Sequence, residues 1–183
     1  KATMKPISTM TRAELGAYVC SHLRNKGLEF VLSGGACVSV YTSNRYQSFD
    51  LDFIEPFRST PLKVIGEILA ELGFYPENRY FKHPDTEYWI EFAPGPISIG
   101  DEPVNEVVAL ELSTGSLRLI SATDCVKDRL AGYYHWNDLQ CLEQARMVAQ
   151  SNEIDLAEVR RWSEKEGKGN TFREIENLLK ANR

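Results

Sequence analysis

Histidine is scarce in this chain of 183 residues, and its three copies, His22, His83 and His135, stand far apart. No local imidazole pair can hold a metal, and no Ser-His-Asp order or nucleophile elbow can be traced. Cysteine is nearly as sparse. Cys20, Cys37, Cys125 and Cys141 form no CxxC pair and no zinc-finger spacing, which excludes the common structural zinc motifs. Set mostly among apolar neighbours, they read as small buried hydrophobes of a reducing compartment. No uncharged apolar run approaches the roughly 18 residues that a membrane-spanning helix needs. The first ten residues also lack the apolar core of a signal peptide. A cytoplasmic protein without a membrane partner is therefore expected.

Basic charge is in the minority, with 21 Lys and Arg against 26 Asp and Glu for a net charge of −5. That balance argues against a general nucleic-acid coat, whose affinity rests on many phosphate contacts. It leaves room for a local basic groove around one phosphate-bearing substrate. With 43% hydrophobic and 26% charged residues, no internal repeat and no low-complexity segment, the chain is neither disordered nor fibrous. Its length suits one compact core, or a core with a small appendage, burying roughly 70% of the unfolded surface.

The first two-thirds alternate helix and strand signals. Thr11 and Glu14 have capping-box spacing, and Leu15, Tyr18, Val19 and Leu23 follow at helical period, predicting a helix over 11–26 that Gly27 ends. A buried strand over 28–32 precedes Ser33-Gly34-Gly35, after which 36–41 reads as helix. A second strand covers 49–54, and Pro61 opens a helix closed by Gly73. Strands are expected at 88–92, 104–112 and 116–120, punctuated by Pro and Gly. The remainder reads as helices at 121–134, 137–150, 155–166 and 171–182, with a turn at 167–170. This predicts an α+β fold: a core over 1–120 and a C-terminal helical region over 121–183 packed upon it.

The sharpest local feature is Phe49-Asp50-Leu51-Asp52-Phe53-Ile54. Side chains alternate along a strand, so Asp50 and Asp52 share one face, about 6.5 Å apart, and Phe49, Leu51 and Phe53 take the other. Two such carboxylates suit shared divalent cations; an amphipathic edge strand with its acids in water fits the same pattern. Upstream, Gly34 and Gly35 lie between a strand and a helix. Glycines there let backbone N–H groups approach a phosphate, and the helix N-terminus adds a favourable dipole. The segment is neither a dinucleotide fingerprint nor a P-loop.

A strand, Gly34-Gly35, a helix and then Ser48-x-Asp50-x-Asp52, with 14 residues between Gly35 and Asp50, resembles the nucleotidyltransferase superfamily with the polymerase-β-like core. The segment is most similar to the AbiEii/AbiGii-type toxin branch. The resemblance is specific over residues 28 to 54 and looser beyond. It implies a small mixed β-sheet flanked by helices, and a third acid on a later strand. Glu91, in Tyr88-Trp89-Ile90-Glu91-Phe92, matches best; Asp85 and Asp101 lie in loop-like contexts. It further implies that Asp50, Asp52 and Glu91 hold Mg²⁺. By the same likeness Gly34, Gly35 and Ser48 would bind the phosphates, and Lys127 and Asp138 would serve as nucleotide contacts.

The implied activity is Mg²⁺-dependent transfer of a nucleoside monophosphate from a nucleoside triphosphate to an RNA, a protein or a small molecule. An antitoxin partner is implied by the same resemblance. The alternatives are a non-catalytic nucleotide- or protein-binding relative and, less well matched, a DxD glycosyltransferase. Among the other polar candidates, Tyr133-Tyr134-His135-Trp136 reads as helix packing, Arg160, Arg161, Lys165 and Lys168 as a solvated face, and Trp162 as an anchor of its helix.

Overall fold

The computed structural model describes residues 4–104 and 106–180. After a short 3-10 turn at Ile7–Thr9, the expected capping box starts α1 (Arg12–Asn25): the Thr11 hydroxyl accepts from Glu14 N–H, and the Glu14 carboxylate accepts from Thr11 N–H at 2.8 Å. Gly27, at φ +83°, then turns the chain into β1 (Val31–Ser33). The order continues through α2 (Gly34–Tyr41), β2 (Asp50–Ile54), α3 (Leu62–Ala70), β3 (Tyr75–Glu77), β4 (Tyr80–Lys82) and β5 (Trp89–Ala93). Next come β6 (Ser98–Ile99), β7 (Glu102–Pro103), β8 (Val107–Leu112) and β9 (Gly115–Ile120). Four helices follow: α4 (Ala122–Trp136), α5 (Leu139–Ser151), α6 (Leu156–Lys165) and α7 (Gly169–Leu179).

Seven strands form one mixed sheet in the order β3-β4-β5-β2-β1-β9-β8, and β6 and β7 pair separately. β2 runs antiparallel to β1 and parallel to β5. One sheet face carries Leu51, Phe53, Ile90, Phe92 and Phe81, all buried. Burying each such side chain contributes about 1.5–3 kcal/mol relative to exposure. α1 covers this face where Gly16 meets Leu117 and Leu51, and α3 covers it where Gly66 meets Phe81. The acids of β2 point to the opposite face, which is only partly covered.

The C-terminal helices pack around Trp162, which is fully buried. Its indole N–H donates to Ile99 O at 3.1 Å and its ring stacks on Tyr134, centroids 5.8 Å apart. The anchoring expected of Trp162 is thus observed. The neighbouring aromatics divide: Tyr134 is core, whereas Trp136 is 84% exposed. All four cysteines are free and three of them are buried, as their apolar surroundings suggest. Among the described residues no helix is long and apolar enough to cross a membrane.

The α+β class with a mixed sheet and flanking helices matches the expectation. The β3–β4 hairpin leaves no mark in the sequence pattern, because two three-residue strands are too short to display a period, and Pro76 sits in the edge strand, where a missing N–H is tolerated. α2 begins at Gly34, two residues earlier than expected, so both glycines belong to its first turn. α7 begins at Gly169, and the last residues of the helix expected over 171–182 lie outside the described residues.

Candidate active site

The alternation of β2 leaves Leu51 and Phe53 fully buried and Asp50 and Asp52 half-buried on the other face. The parallel register of β2 with β5 sets Asp52 opposite Glu91, and Asp50 opposite Trp89. Three carboxylates therefore share one face of two adjacent strands, which lie about 4.8 Å apart. Asp52 records the crowding. Burial, then the charges of Glu91 and Asp50, push its pKa up from 3.8 to about 6, with Arg129 acting in the opposite direction.

Ser33, the residue before α2, makes no side-chain cap; its hydroxyl donates instead to Asp52 O at 3.4 Å. The first turn of α2 thus keeps its backbone donors free of any side-chain cap beside the acids. Gly34 has φ +66°, and a Cβ there would lie 2.6 Å from Asp52 Oδ2. At Gly35 a Cβ would meet Ser48 Oγ at 3.3 Å and the Tyr46 ring at 3.4 Å. Only glycine at 34 lets this helix start press against the Asp52 carboxylate, whereas at 35 a Cβ would merely crowd Ser48 and Tyr46.

Ser48 is fixed from three sides. Its hydroxyl donates to Asp50 O at 3.1 Å, and its N–H donates to Ser39 Oγ at 3.1 Å. Its carbonyl accepts from Arg12 Nε, while Arg12 Nη1 donates to Asn44 Oδ1 at 2.9 Å. Arg12, buried on α1, also lies over the Tyr88 ring, 4.9 Å from its centroid. The loop that delivers Asp50 to the sheet is thereby tied to the first helix.

A cavity of about 270 Å³ opens over Ser33, Gly34, Asp52 and Glu91, with Asp128 and Arg129 of α4 in its wall. Arg129 donates through Nε to Asp128 Oδ2 at 3.0 Å and through Nη1 to Gln144 Oε1 at 3.3 Å. Burial works against its charge, but Asp128 outweighs that effect and holds the guanidinium pKa above its ordinary value. A firmly charged cation thus faces the carboxylates across the cavity.

The structure brings Gly34, Gly35, Ser48, Asp50, Asp52 and Glu91 together. It does not bring Lys127 or Asp138 to them. Lys127 Nζ is buried against α6, 2.8 Å from Glu158 Oε1 and 3.4 Å from Asp124 Oδ1. Asp138 caps α5, accepting from Gln140 N–H at 2.9 Å and Cys141 N–H at 3.3 Å. The reason is helical phase: one residue along a helix turns the side chain by about 100°. Two residues, about 200°, separate Lys127, turned inward against α6, from Arg129, which lines the cavity. The signal for Arg129 was present in Lys127-Asp128-Arg129, but choosing among them needs the orientation of α4.

Beyond Glu91 the same face continues into a group of aromatic and cationic side chains. Tyr80 pairs in register with Glu91, and its ring lies 5.3 Å from that of Trp89. Arg79 lies over Tyr80 and Lys82 over Trp89, at 4.9 Å and 4.4 Å from the ring centroids. Arg79 Nε is also 3.3 Å from Glu91 Oε1.

Among the described residues no three His, Cys, Asp or Glu side chains converge closely enough to hold a metal ion together. The three acids stand side by side in an open row instead. Their chemistry, oxygen donors of which one or two suffice beside waters and substrate phosphates, is of the kind that Mg²⁺ takes. The pKa of Asp52 is raised first by burial and then by the charges of Glu91 and Asp50, with Arg129 offsetting part of it.

No protein-family model matches the chain, and no curated protein sequence matches it significantly. Solved structures do. An antigenic nucleotidyltransferase-like protein from Paracoccidioides brasiliensis is similar with a TM-score of 0.64 at 11% identity, over 98% of this chain and 97% of that one. ANT(2'')-Ia in complex with adenylyl-2''-tobramycin is similar with a TM-score of 0.52 at 15% identity, over 90% of this chain and 98% of that one. The solution structure of the antibiotic-resistance factor ANT(2'')-Ia gives 0.51 at 15% identity, over 94% and 96%. The chain therefore has the nucleotidyltransferase-like fold along nearly its whole length.

Proposed function

We propose that this chain is a Mg²⁺-dependent nucleotidyltransferase that moves a nucleoside monophosphate from a nucleoside triphosphate to an acceptor hydroxyl. The observation that carries the reading is the contact of Gly34 with Asp52. It sets the start of a helix, a natural phosphate site, directly against a carboxylate row on the face left open by the sheet. The likeness of fold to nucleotidyltransferases supports it.

Asp50, Asp52 and Glu91 would hold one or two Mg²⁺ ions, which supply neutralisation of phosphate charge and activation of the acceptor hydroxyl when bound. The N–H groups of the Gly34-Gly35 turn and the Ser48 hydroxyl orient the triphosphate. Arg129, rather than Lys127, offers a guanidinium to the same anion from α4. Glu91, the outermost acid towards β4, takes the proton of the acceptor hydroxyl. The acceptor oxygen bonds to the α-phosphorus as the bond to the β-phosphate bridging oxygen breaks, and pyrophosphate leaves with that electron pair. Positioning and electrostatics do the work.

The likeness of Gly34-Gly35 and Ser48-x-Asp50-x-Asp52 to the AbiEii/AbiGii-type branch favours a cytoplasmic toxin with a cognate antitoxin as partner. A second reading, a nucleotide- or protein-binding relative without catalysis, is favoured by one observation. Arg79 already pairs with Glu91, and Arg129 already faces Asp52, so the site acids have cationic partners without a metal. Thermal stabilisation by each nucleoside triphosphate, with and without Mg²⁺, separates the two. A metal-dependent shift that Asp50→Asn removes, with transfer of label from an α-phosphate-labelled triphosphate, supports the enzyme. Stabilisation by nucleotide without any transfer supports the binding relative.

A further inference from the structure

We propose that the open sheet edge at β8 pairs with the same edge of a second copy of this chain, antiparallel and centred on Ala109, so that two sheets join into one. The inference stands apart from the transfer reading, because the carboxylate row of β2 lies three strands from that edge.

The two edges of the sheet differ. β3 is three residues long and carries Pro76, a short, interrupted edge of the kind that resists pairing. β8 runs for six residues without proline, glycine, lysine or arginine. Its register with β9 is continuous from Val107 opposite Ile120 to Leu112 opposite Gly115, so no bulge bends it away. Among the described residues no other strand pairs with it, and Val107 is 41% exposed.

Hairpin geometry fixes which backbone groups are free. Only Ser113 and Thr114 separate Leu112 from Gly115, so these two exchange both of their backbone hydrogen bonds. Counting back by twos, Leu110 and Val108 also bond to β9. The N–H and C=O groups of Glu111, Ala109 and Val107 therefore point away from the sheet. Side chains alternate in step: Val108, Leu110 and Leu112 are half-buried on the face of Leu117 and Leu119, and the outward-bonding residues lie on the other face.

Self-complementarity selects the partner and the register. Two copies related by a twofold axis normal to the sheet run antiparallel and keep like faces together. Only with Ala109 opposite the partner's Ala109 do all three outward residues of each copy find one another. That register sets Glu111 against the partner's Val107, so no acid faces an acid. Every shifted register leaves an outward residue facing chain beyond the strand, and the one centred on Glu111 opposes like charges. On the other face Val108 meets the partner's Leu110 in a close pair, Cα atoms about 4.5 Å apart. Val108 and Leu110 line a cavity of about 460 Å³ beside the ends of α2 and α5, and the pairing continues their apolar row into the second copy.

The test is sedimentation velocity of the full chain at about 100 μM, where a dimer of micromolar Kd is mostly formed. The expected mass is twice the 20.8 kDa of one chain. Ala109→Pro removes an outward N–H that β9 does not use, and should return the chain to a monomer. Val107→Glu sets like charges against the partner's Glu111 and should weaken dimerisation about 10-fold, whereas Val107→Lys should not weaken it. Circular dichroism melts check that each variant is folded. Because Val107 is exposed, its variants report on pairing even where Ala109→Pro lowers stability. Register is read by cross-linking with oxidised glutathione, with wild type as background. Ala109→Cys should form a disulfide dimer, its two Cα atoms lying about 5.5 Å apart, and Val107→Cys should not, at about 14 Å. A monomer at this concentration, a larger assembly, or a dimer indifferent to both Ala109→Pro and Val107→Glu overturns the proposal. Cross-linking of Val107→Cys in place of Ala109→Cys overturns it as well.

Discussion

Gly34 lies so close to Asp52 that a methyl group on it would fall 2.6 Å from the Asp52 carboxylate oxygen. Since φ at this glycine is +66°, an alanine there meets backbone strain, about 1–2 kcal/mol, in addition to the clash. Gly34→Ala is therefore expected to lower unfolding free energy by at least about 1 kcal/mol in denaturant titrations and to abolish the Mg²⁺–nucleotide thermal shift. Gly35→Ala meets mainly the Ser48 hydroxyl and the Tyr46 ring edge, at 3.3 Å and 3.4 Å, and should retain more of the shift. Equal loss in both variants would deny the special closeness of Gly34.

Neutralising the carboxylate row should separate activity from stability. Asp50→Asn and Asp52→Asn are expected to remove Mg²⁺-dependent nucleotide transfer. At pH 7 without metal, Asp52→Asn should nonetheless stabilise the fold by about 1–3 kcal/mol, because it deletes a charge that burial and two neighbouring acids disfavour. Full transfer activity in either variant would sink the assignment of these acids.

Asp52 also sets a pH dependence. Its folded pKa, about 6, lies above the ordinary 3.8, so between those values the folded chain binds more protons than the unfolded chain. Its contribution to stability is thus fully present below about pH 4 and is lost as the pH rises through about 6. Mg²⁺ affinity should move in the opposite sense, increasing through the same window as the proton departs. Thermal scans from pH 5 to 8, with and without Mg²⁺, should show stabilisation by the metal growing with pH. A metal effect independent of pH would show that Asp52 is not a ligand.

Neighbouring cations on α4 should behave differently. Arg129→Ala is expected to weaken nucleotide binding about 10- to 100-fold, the loss of one or two charge-assisted hydrogen bonds. Lys127→Ala should leave binding nearly unchanged but cost about 1–3 kcal/mol of stability, since Asp124 and Glu158 lose their buried partner. Calorimetric titration with nucleotide, paired with denaturation, distinguishes the two; the reverse pattern would return the phosphate contact to Lys127.

Much of the site was legible because its signals are local. The twofold period of Asp50-Leu51-Asp52 gives a shared face from sequence alone, and the glycine pair marks a close approach by the absence of side chains. Glu91 could be singled out as an acid in an apolar strand. Its place opposite Asp52, however, depends on a parallel pairing of strands separated by α3 and a hairpin, which no local pattern encodes. Phe49 illustrates the converse: expected to anchor the apolar face, it precedes the first paired residue of β2 and is half exposed. Arg129 and the Tyr80–Trp89 group depend on how α4 and the β4–β5 pair are placed, so only the fold reveals them.

Arg12 gives the opening helix a say in chemistry from which it is otherwise remote. A single buried guanidinium clasps the Ser48 carbonyl, the Asn44 side chain and the Tyr88 ring. The strand carrying Asp50 and Asp52 thus enters the sheet in a posture dictated from the far side of the sequence. Loosening that one clasp, as Arg12→Ala would, unsettles the carboxylates without touching either of them.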